Sequence, residues 1–446
     1  MTKRIKSKDD PIARASRGEA SFRIREGLYL IGSLERGVTV YGQQVRAHNL
    51  VWALWKLQKK PATEMVDLAI VGGGMAGLTA AACALGLFPN AKVTIFERSW
   101  DLCALQQGCD SRWLHPRIYG WPEPGSRAPS ASLPVLNWQE GRASDVAHEI
   151  LRRFGKYSES RRKNLSLHVG VDHLSISAKK KEIEWVGKVG IPDGGFFRAG
   201  DAEGQSKKFD RIILAMGFGM ERQHPDHPTP SYWRNEEYAQ PSLDGITRSY
   251  IVSGYGDGAI IDLCRLTIER FRQDRILDEL FGTEIERTEA NLVPVHEGAR
   301  KGENIFDALV STESRLLTSA LNRLKARIRK DTRVILHLTG RVGNKNTRLR
   351  DVFGNTSSFM NRLLLYLLYR SGAFVPCFDS LDKVVREHRG PSESVICRHG
   401  GDAMAHVKRA FIDASLIQGA LDRFKAAPSQ LMRREWEPGC FPNQPE

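Results

Sequence analysis

The 446-residue sequence predicts an α/β protein of doubly wound architecture. Apolar strand-like segments alternate with helical segments, and a glycine cluster follows an apolar strand at two places, near residues 72 and 254. No internal repeat with a period of roughly 20–50 residues is visible. With 41% hydrophobic and 26% charged residues, the chain has the composition of an ordinary globular protein long enough for two or three domains.

The first 65 residues predict an N-terminal tail followed by an αβ appendage. The first 20 or so residues lack apolar periodicity, so we expect them to be mobile. Two short strands are predicted at 28–33 and 38–42, joined by a turn at 35–37, and a helix follows at 43–58. The segment 59–65 reads as a linker.

The stretch from Asp67 predicts the first strand–turn–helix unit. The apolar run LAIV forms a buried strand, and Gly72, Gly74 and Gly77 follow it in G-x-G-x-x-G order. The first glycine permits the tight turn, the second lets the backbone approach a pyrophosphate, and the third lets helix and strand pack closely. Glu97 ends the next strand, where a carboxylate can bond a ribose 2′-OH. The unit therefore predicts a dinucleotide site, and its pattern suits FAD and NAD equally.

The middle of the chain predicts a long irregular segment and then further strands. The segment 100–138 is rich in tryptophan and proline, a helix is predicted around 142–154, and short strands alternate with turns over 165–215. The last of these strands, RIILA, leads into Gly217.

The stretch from Tyr250 predicts a second strand–turn–helix unit, with Gly254, Gly256 and Ala259 in G-x-G-x-x-A order. One long helix is expected over 259–282, and a further helix over 314–329. Three later elements are predicted, a strand at 334–340, a helix at 359–370 and a short strand before Arg398 and His399. This last pair is interpreted either as a return to the first unit or as an ordinary strand end.

The order of these motifs over residues 66–265 resembles the flavoprotein oxidoreductases with two dinucleotide-binding domains, such as flavin-containing monooxygenases and glutathione-reductase-like enzymes. The resemblance implies that the first glycine motif holds FAD, that the strand before Gly217 marks the crossing between domains, and that the second motif holds NAD(P)H. The monooxygenase signature F-x-G-x-x-x-H-x-x-x-W is not met, because Phe218 and Gly219 are adjacent. The second turn has two other readings: Asp257 closes the FAD site near the ribityl chain, or the turn is purely structural.

Candidates for chemistry lie in the segment that follows Glu97. Cys103 and Cys109 are one residue farther apart than the redox-active pair of glutathione-reductase-like enzymes, so we expect ordinary thiols. In the aromatic loop, residues 109–126, Arg112 or Arg117 is expected to stabilise negative charge on the reduced flavin, and His115 to act as a general acid or base. The alternative is a loop that only packs against the first domain, with a structural histidine.

Charge and cysteine usage limit the partners and the location. The net charge of +14 arises from 66 basic and 52 acidic residues, and no basic run is interleaved with aromatic residues, so we expect no nucleic-acid partner. The longest apolar run, at 363–369, is too short to span a membrane. Seven scattered cysteines contain no CxxC pair, which indicates neither a disulfide framework nor a metal site and favours the cytoplasm.

Together these patterns predict a Rossmann-like FAD-binding domain over 66–247, an NAD(P)-binding-like domain over 248–340, and a C-terminal region, 341–446, that partly returns to the first domain. The predicted function is an FAD-dependent oxidoreductase that acts on a small-molecule substrate, with hydride from NAD(P)H or from the substrate. Two alternatives remain: a non-catalytic sensor or scaffold that binds FAD or NAD, and a nucleic-acid-associated protein that uses the positive charge.

Overall fold

A computed structural model describes residues 10–32, 34, 38–58, 65–190, 204–217, 221–338, 349–354, 356–388, 394–426 and 433–442, without the side chains of 187–190. Several sequence predictions lie outside the described residues. They are the turn at 35–37, most of the linker at 59–65 and the glycine-rich turns within 191–203.

Fourteen strands are formed by the described residues: β1 (Arg23–Arg25), β2 (Leu28–Leu30), β3 (Val66–Val71), β4 (Ala91–Phe96), β5 (Trp113–Leu114), β6 (Gly141–Arg142), β7 (Leu165–Ser177), β8 (Glu182–Gly190), β9 (Gln205–Lys208), β10 (Arg211–Leu214), β11 (Arg248–Ser253), β12 (Thr332–His337), β13 (Val375–Cys377) and β14 (Val395–Cys397). The α-helices of the described residues are α1 (Pro11–Phe22), α2 (Val40–Lys56), α3 (Met75–Leu87), α4 (Ala143–Glu159), α5 (Asp257–Thr267), α6 (Ile276–Phe281), α7 (Ile285–Arg300), α8 (Phe306–Thr312), α9 (Thr318–Lys325), α10 (Phe359–Ser371), α11 (Leu381–His388), α12 (Ala403–Arg409) and α13 (Gln418–Ala426).

The larger sheet has eight strands in the order β1-β2-β10-β3-β4-β7-β8-β9. The five strands from β2 to β7 in this order are parallel, and the outer pairs are antiparallel. The loops that follow the five parallel strands therefore meet at one edge of the sheet, the edge where doubly wound proteins bind ligands.

The smaller sheet has four parallel strands in the order β14-β11-β12-β13. The larger sheet contains the same arrangement as β10-β3-β4-β7, in which the strand that comes last along the chain also lies beside the first. The first strands of these two four-stranded arrangements, β3 and β11, each lead into a glycine turn and a helix. The predicted fold class, a Rossmann-like domain with a second domain of the same kind, is confirmed by this repeated topology.

The N-terminal predictions need two corrections. Residues 38–42, predicted as a strand, lead into α2, because the Thr39 hydroxyl accepts a hydrogen bond from the Gly42 N–H (2.9 Å) and caps the helix. Part of the segment expected to be mobile is α1, which packs against α2. The buried residues of α1 include Ala15 and Gly18, whose small side chains leave no apolar period in the sequence.

The αβ appendage is also part of the larger sheet, because β2 pairs in parallel with β10 beside β3. The strand predicted at 28–33 is confirmed in part, since β2 spans Leu28–Leu30. The sequence did not show that this strand pairs with β10, because strand order depends on contacts between distant segments.

One further correction concerns the second unit. The helix predicted over 259–282 ends at Thr267, and the next residue, Ile268, forms a bridge with Ile328. The smaller sheet also contains β13 and β14, which follow residue 340 along the chain. β14 is the short strand predicted before Arg398, whereas β13 was not predicted, because three residues are too short for a reliable pattern.

Helices cover the two faces of the larger sheet in separate apolar layers. One layer packs α2, α3 and α4 against the sheet and includes Trp52 and Trp138. The other contains Val407, Phe411 and Leu421 from the C-terminal part of the chain. None of the helices described by the structure is both long enough and apolar enough to cross a membrane.

Candidate functional site

The first glycine turn lies between β3 and α3 and requires two of its glycines. Gly72 has φ +114°, and a Cβ at this position would overlap the carbonyl oxygen of Ala215, which follows β10. A Cβ at Gly77 would overlap the carbonyl oxygen of Gly72. Helix α3 therefore packs directly against its own turn, as the sequence predicts for the first and third glycines.

The second glycine of this turn, Gly74, leaves space open in front of the helix. It is the N-cap of α3, forms no side-chain cap, and has no atom within 4 Å of its Cβ position. Four described helices are capped by a side chain, from Asp10, Thr39, Ser358 and Asp402, whereas α4 to α9 share the uncapped start of α3. The first N–H groups of α3 are thus left for a ligand, and an open glycine N-cap fits the pyrophosphate of a dinucleotide.

The Glu97 carboxylate is part of the same turn. Its Oε2 accepts a hydrogen bond from the Gly73 N–H (2.6 Å), and its Oε1 accepts one from the Ser99 N–H (2.7 Å). Each carboxylate oxygen can accept a second bond, so both can still meet a ribose hydroxyl. The ribose contact of Glu97 stays a prediction. Gly217, at φ +65°, is exposed and lies at the same edge, two residues after Ala215.

The second glycine turn repeats the first. Gly254 has φ +132°, and its Cβ position lies 2.5 Å from the carbonyl oxygen of Arg398, which follows β14. Gly256 is the N-cap of α5, has no side-chain cap and has open space around its Cβ position. The Cβ of Ala259 lies 3.3 Å from the Cβ position of Gly254, so a methyl group is accommodated where the first turn needs glycine.

The two turns differ in the strand beside them. Phe96 pairs with Val71 in the first sheet, and His337 pairs with Ser253 in the second, so Leu338 occupies the place of Glu97. Leu338 is buried and carries no group that can bond a ribose. The sequence could not show this correspondence, because it depends on the register between β11 and β12.

Asp257, the candidate flavin-closing residue, is engaged within the second unit. Its Oδ1 accepts hydrogen bonds from the Ser358 N–H (2.8 Å) and from Asn361 Nδ2 (2.7 Å), at the start of α10. The carboxylate therefore joins the beginnings of α5 and α10. All three readings of this turn remain open.

Arg112 lies in a buried network of charged groups. Its Nη1 donates to Asp262 Oδ1, its Nη2 lies 3.2 Å from Glu236 Oε1, and its guanidinium stacks 4.0 Å from the centroid of the Tyr232 ring. Asp262 also accepts from Arg398 Nε (2.7 Å). Burial alone would raise the pKa of Asp262, but the surrounding arginines outweigh burial and hold that pKa at about 2. Arg112 thus joins the aromatic loop to α5.

The other two catalytic candidates, His115 and Arg117, lie outside the buried charge network of Arg112 and have different partners. His115 Nδ1 accepts from the backbone N–H groups of Arg117 (3.2 Å) and Ile118 (3.1 Å), and Nε2 lies 3.2 Å from Glu140 Oε2. Burial lowers the pKa of His115, so the ring is neutral at pH 7 with its proton on Nε2. Arg117 donates to the Ser130 carbonyl (3.1 Å), away from the network of Arg112. The structure does not bring the three residues together, and their catalytic roles stay predictions.

A cavity of about 330 Å³ lies between the two sheets. Residues 38–40, which follow β2, line one side, and Asp257 and Gly258, which follow β11, line another. Its other lining residues are Leu105, Trp113, Leu114, His115, Tyr119, Trp138, Glu221, Ser231, Tyr232, Trp233 and Gln273. Of the catalytic candidates, His115 reaches this cavity, and Arg112 lies behind the Tyr232 ring.

Sequence reasoning missed a chain of hydrogen bonds at the edge of the smaller sheet. Ser253 Oγ lies 2.8 Å from both His337 Nδ1 and His399 Nε2, and His337 Nε2 lies 3.0 Å from the Asp379 carbonyl oxygen. A carbonyl only accepts, so Nε2 of neutral His337 carries the proton, Ser253 donates to His337, and His399 donates to Ser253. Polar residues at the ends of three strands were the available signal, but their proximity depends on strand order.

Comparisons with known proteins found no matching family model and no similar curated protein. Solved structures similar to part of this chain include the reduced form of ornithine hydroxylase from Pseudomonas aeruginosa, with 17% identity, TM-score 0.22 and coverage of 44% of this chain and 45% of that one. The polycyclic ketone monooxygenase from Thermothelomyces thermophila has 15% identity, TM-score 0.25 and coverage of 57% and 42%. Cyclohexanone-bound cyclohexanone monooxygenase has 10% identity, TM-score 0.31 and coverage of 79% and 76%.

The chain thus spans less than half the length of the first two of these proteins.

Proposed function

We propose that this protein is an FAD-dependent oxidoreductase in which the first glycine turn holds FAD. The observation that carries the proposal is the open N-cap of α3 at Gly74. Gly72 and Gly77 allow this helix to pack closely against the turn that precedes it. The backbone N–H groups at the start of α3 would bind the pyrophosphate, and Glu97 would orient the ribose. FAD, when bound, accepts and donates electron pairs, and the protein supplies its orientation and electrostatic surroundings.

The second glycine turn is proposed as the site of a nicotinamide dinucleotide that donates hydride. Its open N-cap at Gly256 and left-handed Gly254 repeat the features that support the first site. Leu338, in the place of Glu97, favours the alternative of another class, a sensor or scaffold that holds FAD without reduction by NADH. The domain boundaries and the cytoplasmic location remain proposals from the sequence, as does the absence of a nucleic-acid partner.

The FAD assignment is tested with the variant Gly74→Val. Because no atom lies within 4 Å of the Cβ position, the fold accommodates a side chain there, and that side chain fills the space for the pyrophosphate. Purified wild type should be yellow with about one FAD per chain, and Gly74→Val should be colourless with an unchanged circular dichroism spectrum. Gly419→Val, at an equally open position in α13, is the matched control and should keep its FAD. Wild type that cannot be loaded with FAD would refute the proposal.

The second turn is tested by anaerobic mixing with NADH and with NADPH. Wild type should lose its flavin absorbance, and Gly256→Val should do so at least about tenfold more slowly while keeping FAD. Loss of FAD from Gly256→Val would instead assign this turn to the flavin. If neither nucleotide reduces wild type, the sensor alternative or an organic hydride donor is favoured.

A further inference from the structure

We propose that the cavity between the two sheets binds a small planar organic cation. The inference rests on the proposed function in one respect, because the bound molecule is taken as the substrate of the oxidoreductase. It is carried by three features of the cavity: its aromatic walls, the charges of its lining residues and its size.

Five of the sixteen lining residues are tryptophan or tyrosine, and a guanidinium group stacks on two of these rings. The guanidinium carbon of Arg272 lies 3.5 Å from the centroid of the Trp113 ring, and that of Arg112 lies 4.0 Å from the centroid of the Tyr232 ring. Trp138 is fully buried and is anchored by its indole N–H. Rings held in this way present rigid, flat surfaces, which favour a planar ligand that stacks.

The lining residues carry negative charge only. The sixteen lining residues found among the described parts of the chain include Glu221 and Asp257 and no lysine or arginine, although the protein has a net charge of +14. His115 is neutral at pH 7, because burial lowers its pKa. An anionic ligand would face two carboxylates without a cation in the wall, whereas a cationic ligand would be attracted.

The arginines that contact the wall residues are paired with acids, one of which is Glu221 itself, and Arg362 adds positive charge near Asp257. Arg112 binds Asp262, Arg272 Nη2 lies 2.6 Å from Asp274 Oδ2, and Arg398 is shared between Asp262 and Glu221. Paired charges of opposite sign produce a weaker field at a distance than an isolated charge.

Each cavity carboxylate has one oxygen available. Glu221 Oε2 accepts from Arg398 Nη1 (2.7 Å) and from the Tyr232 N–H (3.2 Å), and Asp257 accepts through Oδ1. Within the described part of the chain, Glu221 Oε1 and Asp257 Oδ2 have no hydrogen-bond partner. An ammonium group can therefore bond either carboxylate without displacing its structural partners.

The volume suits one ring system with a short substituent. About 330 Å³ lies at the lower end of the range for small-molecule sites. The cavity adjoins the second glycine turn, because Asp257 and Gly258 are among its lining residues.

The proposal is tested by isothermal titration calorimetry of the FAD-loaded protein, without nicotinamide nucleotide. Three probes share one ring and differ in charge: tryptamine, indole-3-ethanol and indole-3-acetate. Tryptamine should bind at least about tenfold more tightly than indole-3-ethanol, and indole-3-acetate should bind most weakly. Equal affinities, or tightest binding of indole-3-acetate, would overturn the proposal.

A charge-removing variant separates the role of the carboxylate from that of the rings. Glu221→Gln should weaken tryptamine binding by about tenfold and leave indole-3-ethanol unchanged, and Glu184→Gln, on the exposed part of β8, should change neither. Probe binding to FAD-free protein that is lost when FAD is added would assign the cavity to the flavin ring and overturn the proposal. Because FAD content is read from absorbance, a failure of the proposed function is distinguished from a failure of this inference.

Discussion

Replacing Asp262 with asparagine should lower the free energy of unfolding by about 3–5 kcal/mol. The carboxylate is completely buried and lies among three guanidinium groups, those of Arg112, Arg265 and Arg398. These arginines come from the aromatic loop, from α5 and from the segment after β14. The amide of asparagine keeps the shape but removes the charge that balances them.

The magnitude follows from the pKa and from the groups left behind. The pKa of Asp262 is held at about 2 against its ordinary 3.8, a difference that corresponds to about 2 kcal/mol of stability. A lowered folded-state pKa gives stability that is fully present above pH 3.8 and is lost as the pH falls through about 2, so it is constant between pH 6 and pH 9. The variant also leaves three buried guanidinium groups with only Glu236 and Glu221, which brings the loss into the range for a broken buried ion pair.

The assay is urea denaturation at pH 7 with saturating FAD, followed by tryptophan fluorescence and by circular dichroism. The midpoint should fall by about 1–2 M urea relative to wild type. Asp172→Asn, an exposed position on β7, is the matched control and should change stability by less than about 0.5 kcal/mol. An Asp262→Asn midpoint equal to that of the control would refute the account of this network.

Gly77→Ala should lower the thermal unfolding temperature and reduce FAD content, because the new methyl group overlaps the Gly72 carbonyl oxygen. Gly74→Ala should keep wild-type stability, and equal stability of the two variants would contradict this packing. His48 is buried and its pKa is lowered to about 4, so the free energy of unfolding should fall by about 3 kcal/mol as the pH drops from 6.5 to 4. In a pH series of urea midpoints, His48→Gln should flatten this decrease, and an unchanged slope would exclude His48 as the source of the pH dependence. Burial raises the pKa of both Cys103 and Cys109, so the double serine variant should keep wild-type flavin reduction by NAD(P)H, and a loss of reduction with FAD retained would assign these thiols a redox role.

Local patterns in the sequence were enough to predict the two glycine turns and their helices. The residues that make each turn are contiguous, and their φ angles and small size are properties of glycine itself. Gly72 and Gly254 therefore take the left-handed conformation expected of a first turn glycine, and Gly74 and Gly256 leave the expected open N-caps. The helix α10 and the strand β10 were predicted for the same reason, since a sustained apolar run identifies them.

Only the tertiary structure decided which side chains meet at the site. Arg112 and Asp262 are 150 residues apart, so an arginine expected at the flavin proves to be paired inside a buried network. The place of Glu97 is taken by Leu338 in the second unit, a correspondence set by strand register. The aromatic cavity likewise joins segments that are far apart along the chain, from residue 38 to residue 273. Backbone conformation is set mainly by neighbours along the chain, but burial, ion pairing and cavity shape depend on contacts between distant segments, and these exist only once the sheets have formed.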